Sequence, residues 1–303
     1  MGLVGAPDSS ANLRGALLMT LSSGAFAFND AFMKLLFADL PVFQAIALRA
    51  TGATLLLLIL ALARGLPIFV VPKQDRWRMA VRILSEAAAA FGFLAALSRM
   101  EFNNAAAISQ VTPLVVAVAA AIWLRERLTV SRGLAVLIGF AGVFIILLPG
   151  REGFNWWSLS VIGSVVAVTV RDMVTRRMSH DIPAIVMALQ ASAGLTVLAL
   201  AAAMLGDDLQ PVSLMSVLKV CGSSSFLIVG YLSAIAAMRF GDVTFVAPFR
   251  YTNMIFAIGV AFVVFGEKLA VNTMIGAAIV IGAGIFSLLA DRRLARLAAK
   301  SLQ

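Results

Sequence analysis

Ten stretches of roughly twenty apolar residues, separated by short polar turns, leave this chain little choice of solvent. They run over 15–36, 41–63, 80–98, 103–124, 131–149, 157–175, 183–205, 217–238, 243–265 and 272–290. About 20 apolar residues are what a helix needs to cross the hydrocarbon of a bilayer. A crossing segment must also satisfy its own backbone polar groups. The pattern therefore predicts an all-α integral membrane protein of ten transmembrane helices. Turns such as FADLP, RERLT, GREGFN and GEKLA join them, and none is long enough for a domain outside the membrane. Composition agrees: 61% of residues are hydrophobic and 13% charged, where a soluble domain has about one quarter charged.

Orientation follows from Lys and Arg in the turns. With the N-terminus in the cytoplasm, sixteen of them fall on that side, five on the other, and Arg49, Arg171 and Arg250 stay inside spans. The bias predicts a multi-pass inner-membrane protein with both termini cytoplasmic. The net charge of +9 is then mostly topology signal, and the basic tail DRRLARLAAKSLQ suits anionic lipid on the cytoplasmic side. No nucleic-acid partner is expected. A single cysteine, Cys221, and a single histidine, His180, exclude a disulfide framework and argue against a metal site. The opening MGLVGAPDSSANLR has no cleavable signal pattern.

An internal repeat organises the spans. At an offset of 141 residues, AIWLRERLTVSRGLAVLIGFAGVFIILL lies over FVVFGEKLAVNTMIGAAIVIGAGIFSLL without a gap. Glu126 meets Glu267, each followed by a basic residue, in an E-[RK]-L-x-V corner between two spans. Each half, 1–150 and 151–303, holds five spans. Five is odd, so the second half is inserted upside down. Two inverted five-helix repeats are a plan of secondary transporters, with the site near the midplane between them.

The proline-bearing span, glutamate corner and Gly-rich span of TPLVVAVAAAIWLRERLTVSRGLAVLIGFAGVFIILLP, echoed at the end of the chain, resemble the EamA family of the drug/metabolite transporter superfamily. The opening FNDAFMKLL…LPVFQAIALR resembles the branch related to the solute carrier 35 G group. The resemblance covers residues 13–290. It implies a helical inner-membrane carrier working by alternating access, without a cofactor. Its solute would be an amino acid, organic acid, nucleotide-like compound such as S-adenosylmethionine, vitamin or drug. The second half departs from the pattern: Met254 stands where the offset would place a partner for Pro113, and Pro248 comes six residues earlier.

Charges inside spans cost about 2.5–3.5 kcal/mol each at the bilayer centre, so they face a cavity or a partner. Arg250, beside Tyr251 and Asn253 and just after Pro248, is a candidate carboxylate seat; the alternative is that it snorkels to the cytoplasmic face. Asp30 and Lys34 share a helix face, with Asn29 adjacent. Either the two pair with each other, or Asp30 takes a substrate ammonium or a proton. Arg49 is placed to pair with Asp30 or to bind substrate. Glu86 is a candidate proton carrier, with Arg82 one turn away; Arg171 and Asp172 are candidates for gating ion pairs, and as adjacent residues are expected to diverge around the helix. Gln110 aligns with Tyr251 at the repeat offset, which makes both pocket candidates; Tyr231 and Gln190 are weaker ones. Phe26, Phe28 and Phe91 are expected to pack rather than line a pocket. Gly139, Gly142 and Gly276 let spans 5 and 10 approach closely, as scaffold or as a dimer seam, leaving monomer and homodimer both open. Glu126 and Glu267 are expected to brace the helices that follow them.

An intramembrane enzyme would need a constellation such as H-E-x-x-H, paired Asp-rich motifs or a Walker lysine, and none is present. A non-enzymatic carrier is the expected class. The mixed charges suit a small carboxylate-bearing metabolite, an amino acid or organic acid. The alternative is S-adenosylmethionine or another nucleotide-like or drug-like solute.

Overall fold

Apolar runs of this length become helices because a helix closes its own backbone hydrogen bonds where no water can. The computed structural model describes residues 9–68, 71–123, 130–146, 156–179, 181–206, 208–240, 246–268 and 270–300. Among them are α1 (Ser9–Leu36), α2 (Val42–Ala63), α3 (Arg76–Leu97), α4 (Phe102–Ser109), α5 (Thr112–Trp123), α6 (Val130–Ile146), α7 (Trp157–Arg176), α8 (Ala184–Gly206), α9 (Leu214–Phe240), α10 (Thr252–Phe265) and α11 (Val271–Lys300). No strand occurs among the described residues. The fourth span is α4 and α5 in series, and the ninth is a 3₁₀ turn, Ala247–Tyr251, running into α10. That makes ten spans. Seven are long and apolar enough to cross a membrane by length and composition alone, and Gly133–Ile146 and Val271–Phe286 are shorter apolar helices. The basic tail is not a separate segment: α11 carries on unbroken from the tenth span to Lys300.

The packing has the symmetry that the repeat implies. The dominant pairs are α1 with α9, α3 with α7, α2 with α8, and α6 with α11. In repeat terms α1 corresponds to α7 and α9 to α3, so the first two pairs are images of each other. The last two pair each helix with its own counterpart, as a two-fold relation requires. Spans 5 and 10 meet within one chain. A Cβ at Gly142 would lie 2.8 Å from the Gly276 carbonyl oxygen, so a larger residue would push α6 and α11 apart. The α2–α8 seam carries hydroxyls instead, with Thr54 Oγ1 donating to Ser192 Oγ at 2.9 Å.

Two faces can be told apart: one at the N-terminal end of α1, and one opposite. On the opposite face Lys34 ignores Asp30, its neighbour one turn back, and donates to Glu267 at 2.8 Å and to the Met100 carbonyl at 2.8 Å. Glu267 braces not the helix that follows it but α4, accepting from the backbone N–H of Phe102 at 2.7 Å and of Asn103 at 3.1 Å. An anion at a helix N-terminus satisfies orphan donors and meets the positive end of the helix dipole. The turn that presents Glu267 depends on Gly266, whose φ of 63° favours glycine. Glu126, its counterpart in the repeat, lies outside the described residues.

Glu267→Ala is expected to lower stability by about 1–3 kcal/mol, the cost of leaving buried donors without an acceptor. Glu267→Gln, which keeps one carbonyl acceptor, should fall between it and the parent. Melting temperatures in detergent check this; three equal values would mean that the clamp contributes nothing.

Candidate functional site

Midway through the bundle, α1, α2, α3, α7 and α9, with the α4–α5 junction, surround a cavity of about 240 Å³. Its polar lining is Asn29 and Asp30 from α1, Arg49 from α2, Glu86 from α3, Ser109 and Thr112 from the junction, and Ser164 and Arg171 from α7. Phe26, Phe93 and Leu227 add apolar wall. A smaller cavity of about 40 Å³ shares Arg49, Glu86 and Leu227 with it, and adds Arg82, Ser192 and Tyr231.

The α4–α5 junction reaches this depth because the helix breaks there. Gln110 N–H and Val111 N–H bond three residues back, at 3.3 and 3.2 Å, and Pro113 follows. Irregular backbone at membrane depth is tolerated where it is buried in protein or lines a cavity, and Ser109 and Thr112 on either side of the break do line one. In the ninth span the 3₁₀ turn ends at Tyr251, the residue that corresponds to Gln110. The breaks therefore match across the repeat although the prolines do not.

The charged groups are held to different degrees. Asn29 donates to Asp30 Oδ1 at 2.8 Å, and its own Oδ1 accepts from Ser223 on α9 at 2.9 Å. The Ser223 hydroxyl thus fixes which way the Asn29 amide faces. Arg171 reaches across to Glu86 at 3.3 Å. It also turns back to Asp172 at 2.8 Å, so these adjacent residues pair after all, through the length of the arginine stem. Tyr231 donates to Glu86 Oε1 at 3.4 Å. Glu86 pairs with Arg171 rather than with Arg82, whose Nη1 donates to Thr175 on α7. Arg49 differs from all of these. It is 7% exposed, its Nε has no hydrogen-bond partner, and no carboxylate lies within salt-bridge distance of it among the described residues. Asp30 and, more weakly, Glu86 are close enough to act on it through charge alone.

Of the residues singled out from sequence, Asn29, Asp30, Arg49, Glu86 and Arg171 come together at the larger cavity, and Tyr231 at the smaller. Asp172 sits behind Arg171 as its partner. The Arg250 group does not line either cavity. Arg250 is exposed at the end of the 3₁₀ turn, and Asn253 donates to the Ser23 carbonyl at 3.0 Å, tying the ninth span to α1. Tyr251 is 4% exposed, its hydroxyl without a partner and its ring packed on Gly284 of α11, where a Cβ would overlap it. Gln110 is likewise buried, with Nε2 unpartnered. Gln190 donates to the Ile68 carbonyl at 3.0 Å, away from the cavity. Among the aromatics, Phe26 lines the cavity, whereas Phe28 stacks on Phe226 and Phe91 meets Phe43 edge-on.

Sequence reasoning passed over Phe93, Ser109, Thr112 and Ser164, and placed Arg82 beside Glu86 at the interface rather than at a cavity. Ser164 stands seven residues before Arg171 and so on the same helix face, a signal that was there to use. Thr112, immediately before Pro113, marks the break itself. Arg82 gave no such signal, because its position near a span end reads as interfacial.

The Phe26 ring owes its place to Gly230. A Cβ at Gly230 would lie 2.9 Å from the ring, and the Ser22 hydroxyl donates to the Gly230 carbonyl at 2.8 Å, which holds α1 and α9 together at that level. Gly230→Ala is expected to cost about 1–3 kcal/mol as overpacking. Adding Phe26→Leu should return most of it, and a double-mutant cycle on melting temperature checks the coupling.

Known proteins resemble this chain over most of its length. The sequence model of the EamA-like transporter family matches residues 13–148 and, a second time, 155–289. An S-adenosylmethionine uptake transporter of Rickettsia bellii is 26% identical over 197 residues, covering 65% of this chain and 67% of that one. For a second such transporter, from Rickettsia conorii, the match spans 64% of its length. A riboflavin transporter of Rhizobium johnstonii is 24% identical over 294 residues and covers 93% of each chain. A solved crystal structure shares the fold at a TM-score of 0.69 and 20% identity, covering 94% of this chain and 99% of that one.

Proposed function

The chain belongs to the EamA-like transporter family, and from that premise we propose that it is a secondary carrier for a zwitterionic metabolite bearing a flat ring, of the S-adenosylmethionine kind. The observation that carries this reading is Arg49. A guanidinium on a side chain 7% exposed, its Nε without a hydrogen-bond partner among the described residues, on the wall of a 240 Å³ cavity is a donor fork waiting for an acceptor. Guanidinium and carboxylate match as planar, two-point partners. Asp30, on the facing helix, offers its carboxylate to an ammonium or sulfonium, with one oxygen already held by Asn29. Phe26 and Phe93 supply apolar faces for a ring. Both charge signs in one cavity disfavour a simple organic anion and a lipophilic cation alike. The similarity to S-adenosylmethionine uptake transporters favours the nucleoside-like solute over a plain amino acid.

In this reading Arg49 takes the carboxylate and Asp30 the positive group. Glu86 and Arg171, drawn from α3 and α7, form the tie that shifts as the two five-span halves rock around the site. The Arg250 group acts from outside the cavity, at the 3₁₀ turn that lets the ninth span bend. The excess of basic residues on the side of the N-terminus supports an inner-membrane placement with both termini cytoplasmic. Trp77 and Trp123, each with an arginine over its ring, at 6.0 and 5.7 Å, suit that face to anionic lipid. A second reading, a neutral flavin-like solute, is favoured by one observation: the riboflavin transporter is the relative that matches end to end.

Melting-temperature shifts in detergent decide between them, with S-adenosylmethionine, riboflavin, methionine and citrate as ligands. S-adenosylmethionine should raise the melting temperature of the parent by mass action. Arg49→Ala should weaken that response by roughly 10–100-fold, since a hydrogen bond to a charged group contributes about 1.5–3 kcal/mol. Asp30→Asn should weaken it without abolishing it. A shift with riboflavin alone, unchanged in Arg49→Ala, would move the assignment to the second reading.

A further inference from the structure

The smaller cavity has a charge problem that a solute in the larger one does not solve. Its polar lining is Arg49, Arg82, Glu86, Ser192 and Tyr231, and its other walls are aliphatic. Buried charges need partners. Glu86, the acid in this lining, is already engaged by Arg171 at 3.3 Å and by the Tyr231 hydroxyl at 3.4 Å. Arg49 and Arg82 are 7% and 8% exposed. Neither has a carboxylate within salt-bridge distance among the described residues, and the Nε of each lacks a hydrogen-bond partner. Arg82 has one neutral acceptor, the Thr175 hydroxyl. Two buried guanidiniums thus face one small space whose acid, Glu86, acts on Arg49 through charge but makes its close contacts with Arg171 and Tyr231. A carboxylate in the larger cavity reaches Arg49 but not Arg82, which is absent from that lining.

We propose that the smaller cavity is a separate anion site, holding one monovalent inorganic anion of the chloride class between Arg49 and Arg82. Size supports an ion. A water needs about 10–15 Å³ of such space, so 40 Å³ takes an ion with a water or two and excludes an organic acid. The hydroxyls support it as well. Ser192 donates to the Ala50 carbonyl at 3.3 Å and Tyr231 to Glu86 at 3.4 Å, both long bonds that leave each hydrogen free to turn toward a better acceptor. The anion offsets one of the two positive charges of the arginine pair and lets α2, α3 and α9 close on one another beside the transport cavity.

The test uses the full chain in detergent without solute, exchanged into gluconate and titrated with chloride or bromide at constant ionic strength. The expected result is a saturable rise in melting temperature with either halide, absent in Arg82→Gln. Crystals grown in bromide should show an anomalous peak within hydrogen-bond distance of Arg82. That measurement on the parent decides alone if the variant does not fold. Equal melting in gluconate and chloride, an equal halide shift in Arg82→Gln, or a cavity containing water only would each overturn the proposal. So would loss of the halide shift on adding the carboxylate-bearing solute, because the small cavity would then be the far end of the transport site. Failure of S-adenosylmethionine to bind would leave the halide result standing, so the two readings fail separately.

Discussion

A charge inside an apolar bundle has to be matched, and most of this structure can be read as the matching. On the opposite face Glu267 collects Lys34 and two backbone N–H groups of α4, which joins α1, the fourth span and the turn before α11. Lys219 finds Asp39 at 2.6 Å and so ties α9 to the end of α1. Arg171 takes Asp172 and Glu86 together. Each match uses residues from different spans and therefore fixes helix rotation as well as helix contact, which apolar packing between smooth Leu and Ala faces does weakly. Among the described residues Arg49, Arg82 and Asp30 have no ion pair, and all three line cavities. Where a fold satisfies its other buried ions, an unmatched one is a statement about what is meant to arrive.

The second constraint is the backbone. Helices in hydrocarbon are normally unbroken, so a break marks a place where protein or a cavity replaces lipid. Here the breaks fall at Gln110–Val111 and at the 3₁₀ turn ending in Tyr251, matched across the repeat. Their side chains, Gln110 and Tyr251, are buried with polar atoms that lack partners in this arrangement. Orphaned groups of this sort cost about 1–3 kcal/mol each. The cost is borne at the two broken spans, beside the pair α6 and α11, which glycines bring into close contact.

Much of this was legible in the sequence, and the reason is energetic. Span count follows from run length, and the repeat from an ungapped offset. Asp30, Arg49, Glu86 and Arg171 stood out because an ionisable residue in a span is expensive enough to need a reason. What could not be read was direction. α2 and α8 carry apolar residues on every face among a few polar ones, so periodicity does not say which face meets a neighbour. Phe26 on α1 and Phe91 on α3 likewise looked alike, although one lines the cavity and the other packs on Phe43. Reach was the other gap. Lys34 passes over a carboxylate one turn away for one 233 residues distant, and Arg171 curls back to its own neighbour. Arg250 had polar company in sequence, but it is exposed and absent from the lining of the two cavities, although Asp172 and Arg171 of α7 act on it through charge.

The two ion clusters also differ in geometry. Glu267 makes contacts of 2.7, 2.8 and 3.1 Å with three donors, two of them fixed in backbone, so little rotamer entropy is lost in forming them. Glu86 meets Arg171 at 3.3 Å and Tyr231 at 3.4 Å, longer than the 2.7–2.9 Å of a strong charge-assisted bond. A buried ion pair with imperfect geometry gains little over its desolvation cost. The clamp at Glu267 is therefore the firmer contact and the Glu86–Arg171 tie the more compliant one. Compliance belongs where it is found, on the wall of the cavity, because a ligand can change the partner of a loosely held carboxylate far more readily than it can open a helix cap.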